Sequence, residues 1–347
     1  MDKVPFGASP RKLQRQTRDL VKRSLLSFVL VFTQLSCNTE KTPQQLHPDA
    51  VGINPPPEAQ QQSSVPDFDG EQAFRFLLAQ TNFGPRNPSS VGHHRCLDYL
   101  AIELQSYAEA VDLQRFAHIG YDGERYDMTN ILSSFNLQAT DRIMLAAHWD
   151  TRPMADQEKD PEKRKQPILG ANDGASGVAV VLEIARQMKL HPPPIGVDII
   201  LFDGEDFGKE GDLAYFSLGA RYFAKNMPAG FNPRFGVLLD MVGDKQLELL
   251  QEENSLRFAA DVVRKVWSLA RELGFTQFSL ERRDEIFDDH IPLNQAGIRT
   301  INIIDFDYPD ESNRHWHTLE DTPDKCSPES LEAVGTVLMH LIYATPM

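Results

Sequence analysis

Beyond residue 140 the chain carries four short, near-continuous apolar runs: Ile143 to Ala147, Val197 to Phe202, Gly236 to Leu239 and Thr300 to Ile304. Runs so short and so uniformly apolar predict strands buried on both faces of a sheet. Between and after them come helical spacings: Val178, Val181, Leu182, Ala185; then Ala259, Val262, Val263, Val266, Ala270; then Leu331, Val334, Leu338, Leu341. This alternation predicts one α/β domain with a central mixed, largely parallel sheet flanked by helices. Upstream, a helix is expected from Asp67 with Phe74, Leu77, Leu78 and Thr81 on one face, broken at Phe83-Gly84-Pro85. A second helix should carry Cys96, Tyr99, Leu100 and Leu104, and Val111 to Phe116 and Met128 to Ser133 read as edge or hairpin strands.

The polar residues follow the strands. His148 and Asp150 end the first run, Asp203, Glu205 and Asp206 the second, Asp240 the third and Asp305 the fourth. Open α/β sheets place their sites at such strand ends. One acid there means little, because Asp commonly caps helices and strand ends; four ends converging mean more. Three carboxylates within four positions raise one another's proton affinity unless a cation sits among them.

Gly170 to Gly177, rich in small residues, opens the helix that carries Val178, and would let backbone pass close to a bound ion or substrate. The plainer reading is a helix cap by Asn172 or Asp173. Asp173, Asp206 and His317 together make a mixed carboxylate and imidazole set suited to zinc, with a fourth position open. Glu205, beside a metal-ligating Asp206, then suits a general base. His93 and His94 have no acid nearby in sequence and read as the solvated start of the second helix.

Composition bounds the function. The net charge is −15 although Lys3, Arg11, Lys12, Arg15, Arg18, Lys22 and Arg23 crowd the N-terminus, so the body is strongly acidic. That argues against a nucleic-acid surface and suits cationic ligands such as peptide amines. The basic N-terminus, the apolar stretch Leu25 to Leu35 and Leu35-Ser36-Cys37 read as a signal peptide over 1–37, with Cys37 a candidate lipoprotein site despite Gln34. The length of the basic region allows a true start near Val21. An exported protein is expected, periplasmic, lipid-anchored at the outer membrane, or secreted. Residues 38–66, with Pro55-Pro56-Pro57 and Gln60-Gln61-Gln62, read as a disordered linker before a catalytic domain over 67–347. Cys96 and Cys326 would pair or stay as buried thiols.

His148-Trp149-Asp150, Gly170 to Gly177, Gly204-Glu205-Asp206, Leu239-Asp240-Met241-Val242-Gly243, Asp288-Asp289-His290-Ile291-Pro292 and Trp316-His317-Thr318 stand in the order of the zinc-aminopeptidase-like peptidase family M28. Over residues 66 to 345 the chain resembles, within it, the glutaminyl-peptide cyclotransferases. That resemblance implies one zinc ion held by Asp173, Asp206 and His317, with a second at His148 and Asp240 still allowed, as in the two-zinc aminopeptidases. It implies Glu205, Asp240 and Asp288 as catalytic residues, Asp288 being the acid expected of cyclases. Trp316, His148 and Asp289 are expected to bind substrate, although Asp289 also suits a solvated acidic turn.

The implied reaction closes an N-terminal glutamine of a peptide or protein into pyroglutamate with loss of ammonia, in a monomer. Two alternatives stand beside it: a secreted aminopeptidase, and a metal-bearing protein that only binds. Three departures bear on substrate range. Asp206 stands where many relatives have Glu, the loop Phe207 to Tyr215 has no Trp, and Tyr308 to His315 looks like an inserted polar loop.

Overall fold

The computed structural model describes residues 65–209 and 211–344. The chain divides into Met1–Ala59 and Gln60–Met347, and the described residues fall in the second unit. The expected signal over 1–37, Cys37 and all but the last two positions of the 38–66 linker lie outside the described residues. No helix among the described residues is long and apolar enough to cross a membrane.

Two helices, α1 (Gly70–Thr81) and α2 (Val91–Tyr107), lead into a hairpin of β1 (Ala110–Ile119) and β2 (Arg125–Phe135). Then follow β3 (Arg142–His148), α3 (Ala175–Leu190), β4 (Gly196–Phe202), α4 (Leu218–Lys225) and β5 (Gly236–Asp240). The remainder is β6 (Leu249–Glu252), α5 (Glu253–Glu272), β7 (Phe278–Arg283), α6 (His290–Gln295), β8 (Thr300–Ile304) and α7 (Pro328–Tyr343). Six strands form one sheet in the order β1-β2-β4-β3-β5-β8. β4, β3, β5 and β8 run parallel, and β1 and β2 are antiparallel. The chain steps from β3 outward to β4, then crosses back to β5 and β8, so its direction reverses at β3. The crevice of such a sheet opens at the C-terminal ends beside that reversal.

Side-chain alternation explains the near-continuous apolar runs. Ile143, Leu145, Ala147, Val197, Ile199, Leu201, Val237 and Leu239 face a core shared with α1, α2, α3, α5 and α7. Met144, Ala146, Ile200, Phe202 and Leu238 face the opposite core under α4 and α6. With both faces covered, a polar residue inside a strand needs a dedicated partner, as Asp198 has in Arg142 and Asn302 in Asp288, and the remaining acids fall at the strand ends.

Local details differ from the sequence expectation. The first helix starts at Gly70, not Asp67, because Asp69 caps it by accepting from the Gln72 amide at 2.8 Å. Its buried face is Ala73, Phe76, Leu77, Gln80 and Thr81, with Phe74 and Leu78 at the margin. The parallel pair β6-β7 was not foreseen, since Gln251, Glu252, Arg282 and Arg283 carry no strand-like apolar pattern. Tyr308, read as part of a polar insertion, is fully buried and donates its hydroxyl to Asp321. Cys96 and Cys326 are buried free thiols.

Neither Asn172 nor Asp173 caps α3, whose N-cap is Gly174 at φ +99°. The small residues there serve the strand ends. A Cβ on Gly177 would sit 2.4 Å from the Leu239 carbonyl and 3.1 Å from Ala147 Cβ, so the first turn of α3 rests directly on β5 and β3. Gly177→Ala must therefore push α3 off the sheet, and is expected to cost about 1–3 kcal/mol, read as a lower urea midpoint. An unchanged midpoint would contradict this packing.

Candidate active site

The strand-end turn Asp203 to Asp206 separates its three acids by direction. Gly204, at φ +71°, makes the reversal. Asp203 points back into the protein, where Thr129 donates its amide at 2.6 Å and His93 Nε2 lies 3.0 Å from both oxygens. His93 is 2% exposed and stacks on Trp149 with ring centroids 4.4 Å apart. This corrects the expectation of a solvated His93, since only His94 is exposed. Asp150, two residues beyond the end of β3, accepts the amides of Glu205 at 3.0 Å and Asp206 at 3.2 Å, tying the turn to the neighbouring strand end.

Two polar groups then gather. Asp173, Asp206 and His317 offer ligand atoms that lie within 4.8 Å of one another. His317 Nε2 is 3.4 Å from Asp206 Oδ1 and 3.6 Å from Asp173 Oδ2. These spacings match the edge of a tetrahedron with bonds of about 2.0–2.1 Å, the geometry of zinc with nitrogen and oxygen ligands. Asp206 Oδ2 is buried with no hydrogen-bond partner, a cost that a cation relieves. The residues thus fit a zinc ion. Asp321 holds the Asp173 loop by accepting the amides of Asn172 and Asp173 at 2.8 and 3.1 Å. His317 itself has φ +53°, a left-handed conformation costing about 1–3 kcal/mol that the surroundings must maintain.

The second group is Glu205, Asp288 and Asp289, again within 4.8 Å. Asp289 is fully buried, which corrects its reading as a solvated turn. No complete hydrogen bond among the described residues reaches either of its oxygens, whereas Asp288 accepts from Asn302 Nδ2 at 2.6 Å. Burial and then the Asp288 charge push Glu205 well above the usual carboxylate range, and the same two causes raise Asp289. Asp288 is raised by burial, which outweighs the opposing influence of His290 and His148.

Between the groups lies His148, with Nε2 3.1 Å from Asp240 Oδ1 and 3.2 Å from Asp173 Oδ1. Burial raises Asp240 to about 7, against the hydrogen bond from His148. His148, Asp173 and Asp240 form a further set with metal-ligand spacing.

Trp316 is half-buried, stacks on His317 at 3.7 Å and meets Phe306 at 5.0 Å. It lines a cavity of about 370 Å³ together with Phe216, Phe287, Phe306 and Leu213. Aromatic walls are therefore present although Phe207 to Tyr215 has no Trp. Eight of the acids and imidazoles expected at the site, Glu205, Asp240, Asp288, Asp289, His148, Asp173, Asp206 and His317, are thus brought together, with Trp316 at their rim. Asp305 is not among them. Its oxygens accept the amides of Glu248 and Asp307, so it shapes the loop after β8.

Sequence reasoning missed Arg152, Asp156 and Arg86. Arg152 Nη1 donates to Asp206 Oδ1 at 2.7 Å, and Arg86 is fully buried, donating to the carbonyls of Trp149, Leu169 and Gly170. Arg152 stands two positions from a noted motif, but nothing local separates it from an ordinary loop arginine. Glu252 was also missed. It accepts the amides of Asn254, Ser255 and Ile286 and lies 3.3 Å from His290, anchoring the segment that carries Asp288 and Asp289.

Burial alone would raise Glu252, but His290 and these amides hold it down at about 2. A depressed carboxylate stabilises the fold above its unfolded value near 4.5 and loses that contribution as pH falls toward 2. Glu252→Gln should therefore cost roughly 1–3 kcal/mol at neutral pH and flatten the acid limb of a stability curve between pH 4.5 and 2. An acid limb identical to the parent's would contradict this anchor.

The model of peptidase family M28 matches residues 130–342. The glutaminyl cyclase of Bacteroides thetaiotaomicron, solved bound to N-acetylhistamine, is 40% identical, with a TM-score of 0.79 over 82% of this chain and 100% of that one. The Tannerella forsythia glutaminyl cyclase is 38% identical, with a TM-score of 0.78 over 81% and 100%. Aminopeptidase YwaD of Bacillus subtilis is 30% identical over 60% of this chain, which spans only 42% of that relative's length. The family match covers more than half of the sequence, its span takes in every acid and imidazole gathered at the strand ends, and the chain belongs to peptidase family M28.

Proposed function

We propose that the chain is a glutaminyl-peptide cyclotransferase, converting N-terminal glutamine of peptides or proteins to pyroglutamate and releasing ammonia. The observation that carries this reading is the group Glu205, Asp288 and Asp289, buried beside the zinc-fitting group. Such a group suits an incoming α-amine and the proton that must leave it. The two similar glutaminyl cyclases support the same reading.

A zinc ion held by Asp173, Asp206 and His317 would supply Lewis acidity toward the side-chain amide oxygen. Trp316 and the neighbouring aromatic walls hold the glutamine side chain and exclude water. The peptide's own α-nitrogen attacks the amide carbon, closing a five-membered ring. Glu205 takes the proton that nitrogen sheds and returns it to the departing amide nitrogen, which leaves as ammonia. Its proton affinity, raised by burial and the Asp288 charge, suits Glu205 to accepting a proton and passing it on. Asp240 and Asp288, with His148 between Asp240 and Asp173, hold the proton network over the reacting atoms. Because nucleophile and target are tethered, the protein's main contribution is to fold the glutamine onto itself.

A second reading is favoured by the set His148, Asp173 and Asp240, which has the spacing to hold another metal, as an aminopeptidase would. Incubation with Gln-peptides and Leu-peptides followed by mass spectrometry separates the two. Ammonia loss from Gln-peptides with one zinc per chain is expected, and released amino acids with two zinc ions would overturn the cyclase reading. Glu205→Gln should lower turnover about 10²–10⁴-fold while zinc content is unchanged. Full activity in that variant would remove Glu205 from the mechanism.

A further inference from the structure

Two of the three residues that fit zinc are joined by a ring of charged contacts outside the metal position. Arg152 Nη1 donates to Asp206 Oδ1 at 2.7 Å, and its Nε donates to Asp156 Oδ1 at 2.9 Å while Nη2 reaches the other Asp156 oxygen. Asp156 Oδ1 in turn lies 3.4 Å from His317 Nδ1. The circuit therefore runs Asp206, Arg152, Asp156, His317 and back to Asp206 through the 3.4 Å approach of His317 Nε2. The backbone closes it further, since the Gln157 amide donates to the His317 carbonyl at 3.3 Å.

Each link has a chemical consequence at the metal. Asp156 Oδ1, 3.4 Å from Nδ1, favours the tautomer that carries its proton there and leaves Nε2 free on the side of Asp173 and Asp206. The guanidinium fixes Oδ1 of Asp206, the oxygen 3.4 Å from His317 Nε2, and leaves Oδ2 buried and unpartnered. Asp206 has a short arm, so its direction depends on what grips its other oxygen. The grip is a fork: Arg152 holds both oxygens of Asp156 and still reaches Asp206, which the single ammonium of a lysine cannot reproduce. Trp316 stacks on the His317 ring, so the imidazole is held in its plane as well as at its edge.

A substrate-binding role for Arg152 is disfavoured by burial. Its side chain is 1% exposed and the nitrogens facing the site are already committed to carboxylates. His317 also needs restraint, because its left-handed backbone would relax if the side chain were released.

We propose that Arg152 and Asp156 are positioning residues for the metal, setting the direction of Asp206 and the tautomer of His317. The proposal rests on Asp173, Asp206 and His317 as the zinc ligands, and its test keeps the two ideas apart. Zinc affinity is measured by chelator competition, alongside the visible spectrum of the cobalt-substituted protein and the melting temperature of the metal-free protein. Asp156→Asn, which removes charge but little volume, should weaken zinc about 10–100-fold and shift the cobalt bands, with the metal-free melting temperature held. Arg152→Lys should do the same.

Unchanged affinity and spectrum in Asp156→Asn would overturn the proposal. So would a loss of zinc matched by an equal fall in metal-free stability, which would mark a merely structural contact. His317→Ala is the control for the ligand assignment. If it retains zinc at the parent's affinity, the assignment itself fails, whereas loss there with no effect of Asp156→Asn defeats only the positioning role. Should Arg152→Lys fail to fold, the Asp156→Asn measurements decide by themselves.

Discussion

Burying carboxylates is the constraint on which the rest of this structure turns. Asp150, Asp173, Asp203, Glu205, Asp206, Asp288, Asp289 and Asp321 are all buried near the C-terminal edge of one sheet. Isolated buried charges of this kind are prohibitive, so each must find a cation, a proton or a set of N–H donors. The site can be understood by asking which of these each acid receives.

The acids divide into four kinds. Asp150 and Asp321 accept pairs of backbone amides and so become the fasteners of the Glu205 and Asp173 loops. Asp203 takes His93 and the Thr129 amide and locks the turn from beneath. Asp173, Asp206 and Asp240 share His148, His317 and Arg152, leaving Asp206 Oδ2 unpartnered. Glu205 and Asp289 are left buried with raised proton affinity. The fold satisfies the acids that build the loops and leaves unsatisfied those suited to metal and proton chemistry. That pattern is expected where function opposes stability.

Much of this was legible in the sequence because strand-end chemistry is local. The four apolar runs became β3, β4, β5 and β8, with shifts of a residue at most, since burial on both faces leaves an unmistakable pattern. Asp173, Glu205, Asp206, Asp240 and His317 came together as the strand ends and the carboxylate and imidazole set suggested, and Asp288 joined them as the family resemblance implied. Asp305 had the same local signature and failed, because its oxygens were taken by amides of its own neighbourhood. His93 looked solvated because its partner Asp203 is 110 positions away.

The sequence by itself determined the four central parallel strands, the helices that carry their periodic apolar faces and the acidic character of one sheet edge, because periodicity and strand ends are short-range properties. Only the tertiary structure decided what each acid faces. Arg152 and Asp206 are 54 positions apart, and Asp173 and Asp321 are 148. Their pairing depends on strand order and loop direction, which no local spacing encodes. The difference between an acid that fastens a loop, one that fits a metal and one that moves a proton is therefore a difference of neighbours, and neighbours are settled by packing.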